Sequence, residues 1–199
     1  MSRCLCIPGI TVSLLSLALW SVFLGMGESA GSDQPSAAVP AALGDVTLKA
    51  GTWKDVESLV QQHAGRIVVV DIWSTSCLPC MMEFPNLVAL QKDFPDKVVC
   101  VSFNIDYVGI KSKPAETYRE RVEKFLNRQR ATFPNFLSTV EADAVFAELK
   151  LASIPAVYVF GRDGKLAKRF DDSLLAEGRD EAFTYQADIN PFIRSLLEK

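Results

Sequence analysis

The sequence predicts an α/β domain in which helices flank a central mixed sheet. Three observations lead to this fold class. Strand-like apolar runs alternate with amphipathic helical patterns from about residue 45 onward. The run "RIVVVDIW" (66–73) is continuously apolar apart from Arg66 and Asp71, as expected of a strand covered on both faces. The last two strand patterns flank Asp163 and Gly164, a strong hairpin signal. The sheet should therefore be parallel in part, with an antiparallel hairpin at its end.

Single residues indicate where helices of the first half of the domain begin, end or bend. Thr52 can cap the first helix, and Gly65 can end it. Pro85 is expected to bend the second helix. The predicted strands are 45–50, 66–73 and 97–105, and the predicted helices are 51–65 and 77–94.

The second half continues the alternation of helices and strands. A loop through Pro114 leads to a charged helix, whose charges indicate a solvated face. The net charge of −3 also gives no electrostatic reason to expect a nucleic-acid partner. The predicted helices are about 115–130, 141–150 and 188–199; a short strand is predicted at about 134–140, and the hairpin at 155–170.

The chain is expected to have three parts. Residues 1–27 are predicted to be a targeting segment, because Arg3 precedes an apolar stretch that ends in small residues. This stretch approaches the roughly 18 apolar residues that can span a bilayer, so a membrane anchor is the alternative to a cleaved signal peptide. Either segment would deliver the chain outside the cytoplasm, to the periplasm or beyond. Residues 28–44 read as a flexible linker, and 45–199 as one domain, expected to be monomeric.

Three of the five cysteines belong to the predicted domain. Cys77 and Cys80 stand at the start of a predicted helix, three residues apart, so their side chains should come within disulfide range. Backbone N–H groups at the helix start should lower the pKa of Cys77 below about 8.5, while Cys80 lies deeper. This asymmetry predicts that Cys77 attacks a disulfide and that Cys80 resolves the mixed disulfide. Pro79 pre-sets the first helical turn.

Two other interpretations of the cysteine pair are a zinc site and a structural disulfide. A structural zinc site needs four ligands, and the chain has only one histidine and the additional Cys100 to add. A disulfide that serves only as a staple is the second alternative, but the junction of a strand and a helix is where reactive groups are presented. Cys100, within a strand pattern, is expected to be a buried inert thiol. No metal and no cofactor are predicted.

The stretch "VVVDIWSTSCLPC" resembles the active-site segment of the thioredoxin superfamily. "CLPCMMEFPNL" is similar to the exported, often membrane-tethered branch typified by TlpA and ResA, in which Glu and Pro follow the second cysteine. "SIPAVYVF" resembles the family's proline loop before a hairpin. The resemblance implies a thioredoxin-like fold with an inserted strand-helix segment at about 106–140. It also implies a cis-proline at Pro155 and, at Ile154, a backbone that pairs with an incoming peptide.

The resemblance also assigns Asp71 to the position of a buried acid beneath the cysteines. Burial should raise its pKa above about 3.9, so that it can exchange a proton with Cys80. The alternative is a polar residue satisfied by the backbone at the sheet edge. Glu83 is expected mainly to suit the first turn of its helix, with a tuning role as the alternative.

Several neighbours of the dithiol are expected to contact substrate. Trp73 is predicted to lie at the rim of the site, with packing in the core as the alternative. Ser76 replaces the bulky aromatic residue usual before the nucleophile, which implies a flatter and more polar rim. Leu78 and Pro79, between the cysteines, complete the predicted substrate-binding residues together with Ile154.

The leading hypothesis from the sequence is an exported thiol–disulfide oxidoreductase that mostly reduces its partners. The resemblance implies partner proteins with thiols or disulfides, such as those of cytochrome c maturation, and a membrane protein as electron donor. An oxidase or an isomerase remains open within this class. The alternatives from other classes are a dithiol module that carries Cu(I) and a redox-inactive interaction module.

Overall fold

The structure, a computed structural model, describes residues 45–171, 178 and 181–198. All of them belong to the second of two units into which the chain divides, residues 40–199. The predicted targeting segment and linker lie outside the described residues. Within the described ranges, no helix combines the length and the apolar character needed to cross a membrane.

A single six-stranded sheet forms the centre of the described domain. Its strands run in the spatial order β1-β4-β3-β2-β5-β6. Strands β1, β4, β3 and β2 are mutually parallel, whereas β5 and β6 are antiparallel to their neighbours. The predicted mixed sheet with a terminal hairpin is therefore confirmed. The strands are β1 (Leu48–Gly51), β2 (Ile67–Trp73), β3 (Val98–Asn104), β4 (Asn135–Ser138), β5 (Ala156–Phe160) and β6 (Leu166–Phe170).

Five α-helices cover the described sheet. They are α1 (Trp53–Gln62), α2 (Leu78–Asp93), α3 (Arg119–Gln129), α4 (Ala142–Leu149) and α5 (Asn190–Leu197). A 3₁₀ turn (Ala115–Tyr118) precedes α3, and a π-helical turn (Tyr185–Ile189) precedes α5.

The helix boundaries differ from the predicted ones in small and interpretable ways. Helix α1 ends at Gln62, three residues before Gly65, which adopts a positive φ of 93°. Its start is fixed by Thr52, whose backbone N–H donates to the Asp55 carboxylate at 2.7 Å. Helix α2 continues through Pro85.

Strand β2 lies between the two layers of helices, and all seven of its residues are buried. Side chains alternate between the faces of a strand, so odd and even positions of β2 enter different clusters. Val69 and Trp73 pack in a cluster with residues of α2, α3 and α5, which we call the α2 face. Val68 and Val70 pack with residues of α1 and α4, which we call the α1 face. Burial of each such side chain contributes roughly 1.5–3 kcal/mol.

Candidate active site

The two cysteines form a disulfide at the start of α2. Their Sγ atoms are 1.99 Å apart and their Cα atoms 5.3 Å apart. Cys77 is the N-cap residue, and its Sγ accepts a hydrogen bond from the backbone N–H of Cys80 at 3.2 Å. Cys77 is half-buried, whereas Cys80 is 1% exposed. The first sulfur is therefore the one that a partner molecule can reach.

The loop before β5 forms the second side of the site. The peptide bond between Ile154 and Pro155 is cis. The Ile154 carbonyl oxygen lies 3.7 Å from the Cys77 sulfur. This loop therefore presents main-chain groups directly beside the accessible sulfur. Both residues are half-buried, which leaves part of each open to solvent.

Exposed side chains surround the accessible sulfur on the α2 side. Ser76 and Pro79 are exposed, and Leu78 is 63% exposed. Met82, one turn further along α2, is 69% exposed. A surface of this composition offers apolar area next to a reactive sulfur, as a binding surface for another protein does.

The predicted rim position of Trp73 is wrong. Its side chain is fully buried, and its ring centroid lies 4.9 Å from that of Phe84 and 4.8 Å from that of Phe125. The reason is the strand period: Trp73 occupies an odd position of β2 and is directed into the α2 face. The alternative weighed from the sequence, packing in the core, is correct.

Asp71 lies in the same strand two residues earlier and is 2% exposed. Its Oδ2 accepts a hydrogen bond from the hydroxyl of Tyr185 at 2.7 Å, and Oδ1 has no hydrogen-bond partner among the described residues. Burial raises the pKa of Asp71 to about 7, and the charge of Glu83 adds to this effect, while the bond from Tyr185 opposes it. The predicted direction is confirmed. The partner is a side chain, so the alternative of satisfaction by the backbone is wrong.

Glu83 and Tyr185 complete the surroundings of Asp71. The Oε2 atom of Glu83 accepts hydrogen bonds from the backbone N–H of Tyr185 at 3.1 Å and from Asn86 Nδ2 at 3.2 Å. Burial, and then the charge of Asp71, raise the pKa of the Tyr185 hydroxyl well above its usual value, so Tyr185 is a neutral donor. No local pattern in the sequence indicates a role for Tyr185, which lies 114 positions from Asp71.

A second buried acid, Asp106, holds the loop that leads to Cys77. Its carboxylate accepts hydrogen bonds from Ser74 Oγ at 2.6 Å, from the backbone N–H and hydroxyl of Thr75 at 2.7 and 2.5 Å, and from Asn104 at 3.2 Å. The Nε of Arg121 forms an ion pair with it at 2.7 Å. We call these residues the Asp106 cluster. It joins the ends of β2 and β3 to helix α3.

The Asp106 cluster extends to the residue before the accessible cysteine. The hydroxyls of Ser74 and Ser76 are 2.8 Å apart, and the N–H of Ser76 donates to the Ser74 hydroxyl at 3.2 Å. Sequence reasoning missed this cluster. A signal existed, because polar residues follow both β2 and β3, and carboxyl ends of parallel strands meet at one edge.

A groove of about 500 Å³ opens beside the dithiol. It begins between Ser76 and Ile154 and runs over the Asp106 cluster toward α4. Val108, 56% exposed, contributes apolar surface to it. The groove is therefore continuous with the residues that surround the accessible sulfur.

Cys100, the third cysteine of the domain, is fully buried and has a free thiol. Burial, together with the charge of Asp71, raises the pKa of this thiol well above its usual value, consistent with the predicted inert group. Within the described residues, no group of three or more His, Cys, Asp or Glu side chains is arranged to hold a metal ion.

The fold and this site define a thioredoxin-like protein with a Cys-x-x-Cys disulfide at the start of a helix. The chain belongs to the AhpC/TSA family, whose model matches residues 39–169. The thioredoxin-like fold inferred from the sequence motifs is confirmed.

Two curated proteins are similar to parts of the chain. The thioredoxin-like protein YneN of Bacillus subtilis is 28% identical over 120 residues, which are 60% of this chain and 64% of YneN. The human NHL repeat-containing protein 2 is 27% identical over 140 residues, 67% of this chain and 18% of that protein. The chain thus spans less than two thirds of either relative.

Solved structures show the same fold at low sequence identity. The thioredoxin-like superfamily protein SPOA0173 has a TM-score of 0.53 at 16% identity, over 70% of this chain and 85% of that one. A thioredoxin-like protein solved in its oxidised form has a TM-score of 0.52 at 15% identity, over 78% and 86%. A thiol:disulfide interchange protein of Chlorobium tepidum has a TM-score of 0.50 at 18% identity, over 69% and 83%.

Proposed function

We propose that this chain is an exported thiol–disulfide oxidoreductase that reduces disulfides in partner proteins. One observation carries the proposal. The Cys77–Cys80 disulfide lies at the start of α2, with the first sulfur accessible beside the main chain of Ile154 and the second sulfur buried. This is the arrangement that a mixed-disulfide mechanism needs, because one sulfur must meet the partner while the other waits behind it.

The reaction starts from the dithiol form. The thiolate of Cys77 attacks one sulfur of the partner disulfide; a mixed disulfide forms, and the second partner sulfur leaves as a thiolate that takes a proton. Cys80 then loses its proton and attacks the Cys77 sulfur, which releases the first partner sulfur as a thiol. Two electrons and two protons pass to the partner, and the Cys77–Cys80 disulfide remains. An external dithiol donor returns the protein to its starting form.

The surroundings of Cys77 favour its thiolate. In the disulfide form its sulfur already accepts the Cys80 N–H at the N-terminus of α2. The same donor and the positive end of the helix dipole would stabilise negative charge on this sulfur once the disulfide is reduced. Backbone groups at the start of α2 thus stabilise the attacking thiolate.

Asp71 is the proposed proton acceptor for Cys80. A group with a pKa of about 7 changes its protonation state readily at neutral pH. Its oxygen Oδ1, without a hydrogen-bond partner among the described residues, is available to receive a proton. The proton then passes to the departing partner thiolate or to water.

The surface around the dithiol favours a polypeptide as the partner. The cis loop offers the Ile154 main chain, with which an extended segment can pair. The exposed Leu78, Met82 and Val108 would be covered by apolar side chains of that segment. Export is inferred from the targeting pattern of residues 1–27.

Reduction of insulin disulfides by dithiothreitol tests the proposed function. The full chain should accelerate the reaction, and Cys77→Ser should reduce the rate to the uncatalysed background because the attacking sulfur is lost. Cys100→Ala is the matched control, since it removes a buried thiol that has no part in the reaction, and it should keep a rate close to that of the wild type. A Cys77→Ser variant that is as fast as the wild type would contradict the proposal.

A further inference from the structure

Tyr185 contacts two acids, one from each of the two elements that flank the dithiol in the chain. Its hydroxyl donates to Asp71 Oδ2 at 2.7 Å, and its backbone N–H donates to Glu83 Oε2 at 3.1 Å. Asp71 belongs to β2, which leads into the active-site loop, and Glu83 belongs to α2, which has Cys77 as its N-cap and Cys80 in its first turn. A single residue from the C-terminal part of the domain thus connects the two elements that form the site.

We propose that Tyr185 is a positioning residue that prepares Asp71 for proton exchange with Cys80. Its hydroxyl occupies one carboxyl oxygen of Asp71 and leaves the other, Oδ1, for the proton. The inference rests on the proposed function. It adds to the site a residue that lies outside the cysteine and proline motifs. Tyr185 acts on the reaction through Asp71 and not through contact with the partner protein.

The π-helical turn fixes Tyr185 in this position. Thr184, the residue before it, caps the turn: its hydroxyl accepts from the N–H of Ala187 at 3.0 Å, and its own N–H donates to Asp188 at 2.9 Å. The Tyr185 side chain is 1% exposed and packs in the cluster of the α2 face. A buried ring with both its hydroxyl and its N–H engaged has little freedom to leave the carboxylate.

The groups around Asp71 differ in their effect on its ionised form. Glu83 faces Asp71 from α2, and its negative charge disfavours a second carboxylate. Cys100 faces it from β3, but its thiol is neutral at ordinary pH because burial raises its pKa. Tyr185 is the donor that stabilises the ionised form of Asp71. Without it, the carboxyl would hold its proton to higher pH and would be a poorer acceptor at neutral pH.

The substitution Tyr185→Phe removes the hydroxyl and keeps the ring. A ¹³C NMR titration of the Asp71 carboxyl carbon, in the disulfide form, should show its midpoint shifted upward by about one pH unit, as expected for one hydrogen bond to a charged group. Asp71→Asn identifies the signal. Tyr158→Phe is the matched control: it removes a buried tyrosine hydroxyl that donates to the Leu149 carbonyl on the α1 face. It should leave the midpoint unchanged.

The pH profile of insulin reduction provides the functional readout. Activity should rise with pH as Asp71 ionises, and this rise should move to higher pH by the same amount in Tyr185→Phe and stay in place in Tyr158→Phe. An active wild type whose profile does not move in Tyr185→Phe overturns the role of Tyr185 alone. A wild type without reductase activity removes the proposed function, and the role of Tyr185 with it.

A second experiment strengthens the hydrogen bond to Asp71 and does not remove it. It tests the proposal even if Tyr185→Phe fails to fold. Replacement of the four tyrosines by 3-fluorotyrosine makes each phenol a stronger donor without removing it. The Asp71 midpoint should then move to lower pH, because donation to the carboxylate is strengthened. An unchanged or raised midpoint overturns the proposal.

Discussion

Asp71 and Asp106 are two acids of the same site, equally buried at 2% exposure, and their surroundings differ sharply. Asp106 accepts hydrogen bonds from two side-chain hydroxyls, a backbone N–H and an amide, and it pairs with Arg121. Asp71 receives one hydroxyl, from Tyr185, and faces a second acid. One carboxylate is fully supplied with donors, and the other is not.

The number of donors separates a structural role from a chemical one. A buried carboxylate with a full set of partners holds in place the side chains and the backbone that supply them. Asp106 does this for the loop before Cys77. A buried carboxylate with too few partners gains from taking up a proton, and it can therefore give and take one. Asp71 is of this second kind, and three experiments can test or refine the contrast.

The largest expected effect is the pH dependence of stability that Asp71 imposes. Its pKa is about 7 in the folded protein against 3.8 in the unfolded chain, so the folded state binds the proton more tightly. This contribution to stability is fully present below the unfolded pKa and is lost as the pH rises through 7. Unfolding in urea should show the free energy of unfolding falling, relative to Asp71→Asn, by as much as roughly 4 kcal/mol between about pH 4 and pH 8.

Asp71→Asn is itself the control, since it keeps the shape and removes the ionisation. Its profile should be flatter than that of the wild type over this range. Two parallel profiles would show that Asp71 is ionised in the folded state throughout this range, which would contradict its assignment as a group that gives and takes a proton.

The next effect concerns the Asp106 cluster. Asp106→Ala removes the shared acceptor, which leaves the N–H and hydroxyl of Thr75 without this partner and the Ser74 hydroxyl with Ser76 alone. The free energy of unfolding in urea at neutral pH should fall by about 3 kcal/mol. The control is Asp143→Ala, an exposed acid that lines the same groove, for which a change within about 0.5 kcal/mol is expected. Equal losses in both variants would argue against a structural role of the cluster.

The smallest effect is expected at Arg121. Its side chain is 50% exposed, so solvent screens the ion pair with Asp106, and four other donors remain on the carboxylate. Arg121→Met should lower the free energy of unfolding by about 1 kcal/mol, as measured in urea. Arg128→Met, at an exposed position of α3, should have no measurable effect. A loss at Arg121 as large as that of Asp106→Ala would mean that the ion pair, and not the hydroxyl and backbone donors, holds the cluster.

The sequence predicted what depends on local pattern. The apolar run of β2, the turn at Gly164 and the cysteine spacing are each encoded within a few residues, and each matches the structure. The buried state of Asp71 followed from its place inside an apolar strand. These signals are sufficient for the fold class and for the position of the dithiol.

The remaining features of the site depend on contacts between distant segments. The rim position predicted for Trp73 is wrong because the face of β2 on which the residue lies, and not its closeness to the cysteines in sequence, decides its environment. Tyr185 and Asp106 reach the site through the packing of α5 and the order of the strands. For Asp106 the polar residues after β2 and β3 were a signal, but its partners depend on the strand order; for Tyr185 no pattern of a few residues indicates the contact.

The hydroxyl that serves Asp71 has a consequence for biosynthesis. During translation, the ribosome adds Tyr185 114 positions after Asp71, so a nascent chain contains both cysteines long before it contains this tyrosine. A product that terminates between these points would carry the dithiol without the phenol behind it. The hydrogen bond from Tyr185 to Asp71 can therefore form only after most of the domain has been synthesised.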